Sequence, residues 1–246
     1  MEGLSGVFAP VPSPFTDDSS GPSEIRLARL LRRLMVAGVR GVVVASEMGE
    51  FTALSFSERK MLVEWVLRDS HNELSVIVNV STLSTAASLD LAQHASRHGA
   101  RAAVLHAPYY GRFSAEEQFG FFRTVSQHAQ LPIILLPENP LVGEDVLSRL
   151  ADTARLQIAE PLDDVPLSSA AFRAGNLEVR PEMSLANEDR TVPPPSLRIK
   201  MQQFGYAKAV KALLEADELD VGSTRGPLQE LNMEQRRELC GLLGLA

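Results

Sequence analysis

GVVVASEMGEF, Gly41 to Phe51, is the stretch on which the fold turns. Val42, Val43 and Val44 form an uninterrupted β-branched run, the composition of a strand buried on both faces. The run empties into a small-residue loop, Ala45-Ser46, followed by Glu47-Met48-Gly49-Glu50. A buried strand that ends in such a loop marks the sheet edge where α/β enzymes place their chemistry. The same punctuation repeats outward from it. Upstream, Val7–Pro10 reads as a short strand. Glu24–Ala37 reads as an amphipathic helix with Leu27, Leu31 and Leu34 on one face, Arg26, Arg29, Arg32 and Arg33 off it, and Gly38 closing it. Downstream, Ser55 and Glu58 form a capping box that opens a helix to about Arg68. Then follow a strand over Leu74–Val80, a helix over Thr85–His98 closed by Gly99, and a strand over Ala102–His106. Ser114 and Glu117 make a second capping box before a helix to His128. Pro132–Leu136 is a fifth strand, Glu144–Ala151 starts a helix, and Leu156–Ala159 is a candidate sixth strand.

Strands alternating with helices at this spacing imply successive βαβ units and a parallel sheet. At roughly 30 residues per unit, eight units would fill the 246 residues as a TIM-type (β/α)8 barrel. The pattern stops being legible after residue 160. Pro161, Pro166, Pro181 and the run Pro193-Pro194-Pro195 interrupt it, leaving Leu177–Val179 and Met183–Leu185 as short strand candidates. Helices return at Tyr206–Ala216 and Asn232–Leu243. The expected organisation is a barrel over 1–205, irregular and shortened over 161–205, followed by a C-terminal helical extension over 206–246. Whether the sheet closes after strand six stays open.

The net charge of −7 argues against a nucleic-acid partner, because phosphate binding needs a basic face, and against an anionic membrane surface. One cysteine, Cys240, leaves no intrachain disulfide and no thiolate cluster. The start, MEGLSGVFAPVPSPF, has neither a basic n-region nor an apolar h-region, so the expected compartment is the cytoplasm. No phosphate-cradling glycine loop is present, and no cofactor is expected. His94 and His98 stand i,i+4 on one helix without the HExxH glutamate and with no third ligand evident in the sequence, so no metal site is expected.

Five stretches carry a resemblance: GVFAPVPSPF (Gly6–Phe15), ASEMGEF, STLSTAASLDLAQHASRHGA (Ser81–Ala100), APYYGRFSAEE (Ala107–Glu117) and LPIILLPENPLVG (Leu131–Gly143). In order and spacing they resemble the dihydrodipicolinate synthase / N-acetylneuraminate lyase family of pyruvate-handling class I aldolases. AVKALLE and TRGPLQEL near the C-terminus resemble the 4-hydroxy-2-oxoglutarate aldolase branch most. The resemblance implies a barrel, a homo-oligomer (dimer or tetramer), and lyase chemistry through a Schiff base between pyruvate and a lysine on strand six. It further implies a threonine pair after strand two that holds the pyruvate carboxylate. A tyrosine on strand five relays protons, and a second tyrosine from the paired-tyrosine motif completes the relay across a subunit contact.

Set on that pattern, this chain departs at each step. The lysine position falls on Ala159 and the strand-five tyrosine on Leu136. The threonine pair falls on Glu47-Met48, and the arginine of the synthase branch on Leu141. The four lysines are Lys60, Lys200, Lys208 and Lys211, and Lys200 in LRIKMQQ is the one that could sit on an irregular strand as a relocated nucleophile. A hydroxyl donates to a carboxylate, whereas an ionised Glu47 only accepts. Two unit charges about 4 Å apart repel by about 4 kcal/mol at an effective dielectric near 20. Tyr110 matches the second tyrosine of the pair, beside Tyr109, and both also suit packing at a subunit contact. Gly49-Glu50 and the Ser84-Thr85 helix start match too. In Gly49-Glu50 we read a tight turn and a carboxylate that accepts backbone N–H groups. The candidate ligand-binding residues are Glu47, Met48, Tyr110 and Glu160. His106, Ser46, Glu138-Asn139 and Asp163-Asp164 also follow strands. Two readings stay open. One is a non-catalytic member that binds a small molecule or a partner, including an active paralogue. The other is a lyase on a 2-keto acid, working through Lys200 or through acid/base residues Glu47, Tyr110, His106 and Glu160.

Overall fold

The structure is a computed structural model, and it describes residues 4–108, 111–137, 142–162, 165–187 and 193–245. Six strands alternate with five helices in the first two thirds. They are β1 (Gly6–Pro10), α1 (Glu24–Ala37), β2 (Gly41–Val44), α2 (Phe56–Asp69), β3 (Ser75–Asn79), α3 (Thr85–His98), β4 (Ala102–His106), α4 (Ala115–His128), β5 (Ile133–Leu136), α5 (Glu144–Leu150) and β6 (Leu156–Ile158). These six strands pair in parallel in sequence order. Both expected capping boxes form, Ser55 with Glu58 and Ser114 with Glu117, so the N-terminal N–H groups of α2 and α4 have local acceptors. α1 turns Leu27, Leu30, Leu31 and Leu34 inward with no exposure, each worth about 1.5–3 kcal/mol of burial.

The last two strands are built differently. β7 (Phe172–Ala174) and β8 (Leu177–Val179) form an antiparallel hairpin, with Ala174 opposite Leu177 across a Gly175-Asn176 turn. Of the two turn residues Gly175 alone has positive φ, +58°, as a two-residue turn with glycine first requires. β8 lies parallel to β1. On the other side, Glu160 and Arg173 exchange backbone hydrogen bonds of 2.8 Å in each direction, joining the end of β6 to β7. The eight strands therefore make a nearly closed barrel, with no helix between the last two. Met183–Leu185, expected as a strand, belongs instead to a 3-10 turn over Pro181–Leu185. Proline at its start presets the helical φ, and Leu185 and Ser184 are buried from that turn.

The C-terminal helices are α6 (Pro195–Phe204), α7 (Tyr206–Ala216) and α8 (Met233–Leu243). Lys200, considered for a strand, lies on α6 and pairs with Glu238 of α8. α7 buries Val210, Leu213 and Leu214 in the same core layer as Leu27 and Leu34. No helix among the described residues is long and apolar enough to cross a membrane.

The core has two layers because β2 to β5 are apolar on both faces. One face packs under the helices: Val42, Val44, Val76, Val78, Leu105 and Leu135. The other fills the barrel: Phe8, Val43, Ile77, Val104, Ile134, Leu136, Ala159, Phe172 and Leu177. Gly41 makes room there for Phe8. A Cβ on it would stand 2.3 Å from the Phe8 ring and 2.2 Å from the Ser75 carbonyl.

Candidate functional site

The parallel strands all end at one rim. Two residues beyond Ile77 and Val104 the pleat carries Asn79 and His106 to the inward face at that rim. Ser81 links them: its hydroxyl donates to Asn79 Oδ1 at 2.5 Å and accepts the His106 backbone N–H at 2.9 Å. The guanidinium of Arg59, on α2, donates to the carbonyls of Asn79 (2.6 Å) and Ser81 (2.9 Å) and lies 5.5 Å from the centre of the Phe51 ring. Phe51 in turn stacks on His106, with centroids 6.2 Å apart and planes 13° from parallel. His106 thus reaches the rim as a buried residue, 7% exposed. Asn79 Nδ2 is buried without a hydrogen-bond partner among the described residues. A donor left so costs roughly 1–3 kcal/mol and favours an acceptor brought from outside. Asn79, Ser81, Arg59 and Phe51 were not singled out from the sequence. The signal for Asn79 was there, a lone amide closing an otherwise apolar strand.

Leu136 stands opposite His106 in the β4–β5 register and Ala159 follows β6, and both belong to the apolar interior cluster with Phe8 and Phe172. Glu47 is exposed on the loop after β2, and its N–H donates to the buried Ser169 hydroxyl at 2.8 Å, tying that loop to the approach to the hairpin. Met48 turns the other way. It is fully buried in the layer under the helices, where its sulfur accepts from Ser184 Oγ at 3.2 Å. Ser46 is buried and accepts the Gly49 N–H. Glu160 is exposed at the β6–β7 junction. Tyr109, Tyr110, Glu138, Asn139, Leu141, Asp163 and Asp164 lie outside the described residues.

Glu50 carries the turn's second task. Its Oε2 accepts the Arg225 backbone N–H at 2.8 Å, and its Oε1 faces Lys211 Nζ at 2.6 Å. Lys211 also donates to the Ser223 carbonyl at 2.8 Å and lies over the Phe15 ring. Burial, the largest influence, holds Lys211 below the usual lysine range, against the pull of Glu50. The Arg225 guanidinium caps the other end, donating to the Ala53 carbonyl at 3.0 Å and to Glu58 Oε2 at 3.1 Å. Burial alone would raise Glu58; the Ser55 N–H, the Ser55 hydroxyl and Arg225 together bring it below its ordinary value. This network fastens the segment between α7 and α8 to the β2 loop.

Between that loop and α7 opens a cleft of about 210 Å³, lined by Glu47, Phe51, Thr52, Tyr206, Lys208, Pro227 and Leu228 among others. It places a carboxylate and an amine around an apolar floor. Lys60 pairs with Asp90, Lys200 with Glu238 and Lys211 with Glu50. For Lys208 no ion pair is found among the described residues, and it lines this cleft.

A helix-flanked barrel with its polar groups gathered at the strand ends is a frame that many unrelated enzymes share. Residues 3–156 match the dihydrodipicolinate synthetase family, and the chain belongs to that family. The match ends as β6 begins. The 4-hydroxy-tetrahydrodipicolinate synthase of Methanopyrus kandleri is 35% identical over 132 residues, 54% of this chain and 44% of the relative. An uncharacterized DapA-like lyase of Pyrococcus horikoshii is 31% identical over 184 residues, 73% of this chain and 61% of the relative. The matches to the curated relatives thus span about half of those proteins' length, 44% and 52% for two synthases. A Bacillus anthracis dihydrodipicolinate synthase superposes with a TM-score of 0.81 at 20% identity, covering 100% of this chain and 99% of the other. For Proteus mirabilis N-acetylneuraminate lyase the TM-score is 0.74 at 18% identity, with 98% of each chain covered. At those identities the likeness is one of fold.

Proposed function

We propose that this chain is a barrel of aldolase ancestry that binds a small molecule without forming a covalent intermediate. The observation that carries this reading is the barrel interior. Where the family resemblance calls for a tyrosine on strand five and a lysine on strand six, Leu136 and Ala159 are packed among Phe8, Ile134 and Phe172. All four lysines lie on helices: Lys60 on α2, Lys200 on α6, Lys208 and Lys211 on α7. An imine-forming lysine must reach the substrate carbonyl as a free amine, and an alanine in that place offers no nucleophile. The cleft beside Glu47 is the seat we assign to the ligand. Its acid, amine and apolar floor suit a small amine or an amino-acid-like zwitterion better than pyruvate.

The decisive experiment is borohydride reduction in the presence of pyruvate, read by intact mass and peptide mapping. We expect no adduct. A second reading, a lyase on a 2-keto acid with a relocated amine, rests on Lys208 and no longer on Lys200, because Lys208 lines the cleft while Lys200 lies on α6 paired with Glu238. An adduct on Lys208 would establish that reading, and one on any lysine would end ours. A thermal-shift series with amines, amino acids and keto acids then ranks the ligands. Stabilisation by keto acids alone would contradict the charge of Glu47.

A further inference from the structure

The seam between α2 and α3 holds a set of side chains that neither the fold nor the proposed cleft uses. Glu64 on α2 faces His94 and His98, one turn apart on α3. Glu64 Oε1 lies 2.8 Å from His94 Nε2 and 3.9 Å from His98 Nε2. The imidazole centroids are 4.4 Å apart, and the three donor atoms all fall within 4.8 Å of one another. The sequence shows the two histidines; it is the packing of the helices that brings Glu64 to them as the missing third ligand.

We propose that Glu64, His94 and His98 form a binding site for a divalent transition metal, zinc by the nature of the ligands, with water completing the coordination. Zinc bonds of about 2.0–2.1 Å in a tetrahedron put neighbouring donor atoms roughly 3.3 Å apart. The two measured separations straddle that value, one about half an ångström short and the other about half an ångström long. Small rotations of the outer groups would equalise them. Those groups have the freedom to do so: the side chains of His98 and Glu64 are 41% and 48% exposed, whereas His94, 9% exposed, is held by the seam. The exposed side is also the entry path and the place for water.

Hydrogen bonding alone leaves this arrangement half used. His94 can donate to Glu64, but at 3.9 Å His98 is beyond a hydrogen bond to the same oxygen. A cation at the centre engages all three. Two imidazoles and one carboxylate are a borderline set that takes zinc, cobalt or nickel in preference to magnesium or calcium. Because the ligands come from two helices, the bound metal would clamp α2 to α3 on the outside of the barrel. One turn earlier, Lys60 and Asp90 pair across the same seam at 2.6 Å, so the helix faces are already in register there.

The test uses the untagged chain, stripped with chelator and titrated near neutral pH with Zn²⁺ by calorimetry and with Co²⁺ by visible absorption. We expect one equivalent of Zn²⁺ bound at micromolar concentration, tetrahedral cobalt bands, a rise in Tm with Zn²⁺, and no response to Mg²⁺. Losing one of three ligands, in His98→Ala or Glu64→Gln, should weaken binding at least roughly tenfold. Both positions are exposed enough that the metal-free variants should melt near the wild type. Cys240→Ser should bind as the wild type does. Absence of binding at micromolar metal overturns the site, and so does binding that both ligand variants leave intact.

Discussion

In β2, β3 and β5 the residues run GVVV, SVIVN and IILL, apolar on both faces, whereas the closing hairpin reads FRA and LEV with a charge at each centre. The two regions finish the same barrel under different constraints. A strand covered by a helix on one side and by the barrel interior on the other must be apolar throughout. In the hairpin, Phe172, Ala174, Leu177 and Val179 fill the interior, while Arg173 and Glu178 point outward and stand directly opposite each other. The outward ion pair, completed by Arg180, stands where the repeating units place apolar residues under a helix. A barrel can thus be closed without two of its helices, provided the last strands change from continuous to alternating pattern.

If the hairpin is a full part of the core, truncating its interior ring should cost as much as truncating one in a regular strand. Phe172 and Phe8 are both fully buried in the interior cluster. Phe172→Ala and Phe8→Ala should each lose about 3–5 kcal/mol, measured by urea denaturation. A loss below about 1 kcal/mol for Phe172→Ala alone would make the hairpin a loose cover on a six-strand sheet.

The same contrast explains what could be read from the residues beforehand. Helices α1, α3 and α7 run over the ranges expected for them, because leucine spacing, capping serines and terminal glycines are local signals. The hairpin carried a local signal too, the two-residue Gly175-Asn176 turn. Leu177–Val179, expected as a short strand, is β8, whereas in Phe172–Ala174 three residues between prolines are too few for alternation to stand out. α6 was missed because Pro193-Pro194-Pro195 reads as a break, while in the structure Pro195 occupies the first helical turn. At the rim, the backbone-accepting role of Glu50 was legible from the turn it closes. Its partners Lys211 and Arg225 come from the other end of the chain, and no spacing rule joins them. Glu64 beside His94 and His98 is the same kind of contact, made by packing between helices.

A smaller effect probes the turn. At the φ of +58° found for Gly175, a Cβ is disfavoured by about 1–2 kcal/mol, and it would also stand 2.7 Å from the flexible end of Gln157. Gly175→Ala should lower the denaturation midpoint accordingly, and by the same amount in a Gln157→Ala background, because the cost lies in the backbone. A loss that vanishes in the Gln157→Ala background would mean that contact with Gln157, and not backbone strain, sets the cost.

The smallest effect should be the outward ion pair. Arg180, the main cause, and Arg173 together hold the Glu178 carboxyl below its ordinary value, against the upward push of burial. Its protonated form is therefore disfavoured in the folded state. The stability this contributes is present above the unfolded carboxyl value of 4.5 and is lost as pH falls below it through the folded value. Being partly exposed, the pair should be worth about 0.2–1 kcal/mol near neutral pH. Glu178→Gln should lower the neutral-pH Tm slightly and flatten its fall under acid. A Glu178→Gln protein whose acid profile overlays the wild type would show that the hairpin's charged face serves solubility alone, leaving the apolar interior to hold the last two strands.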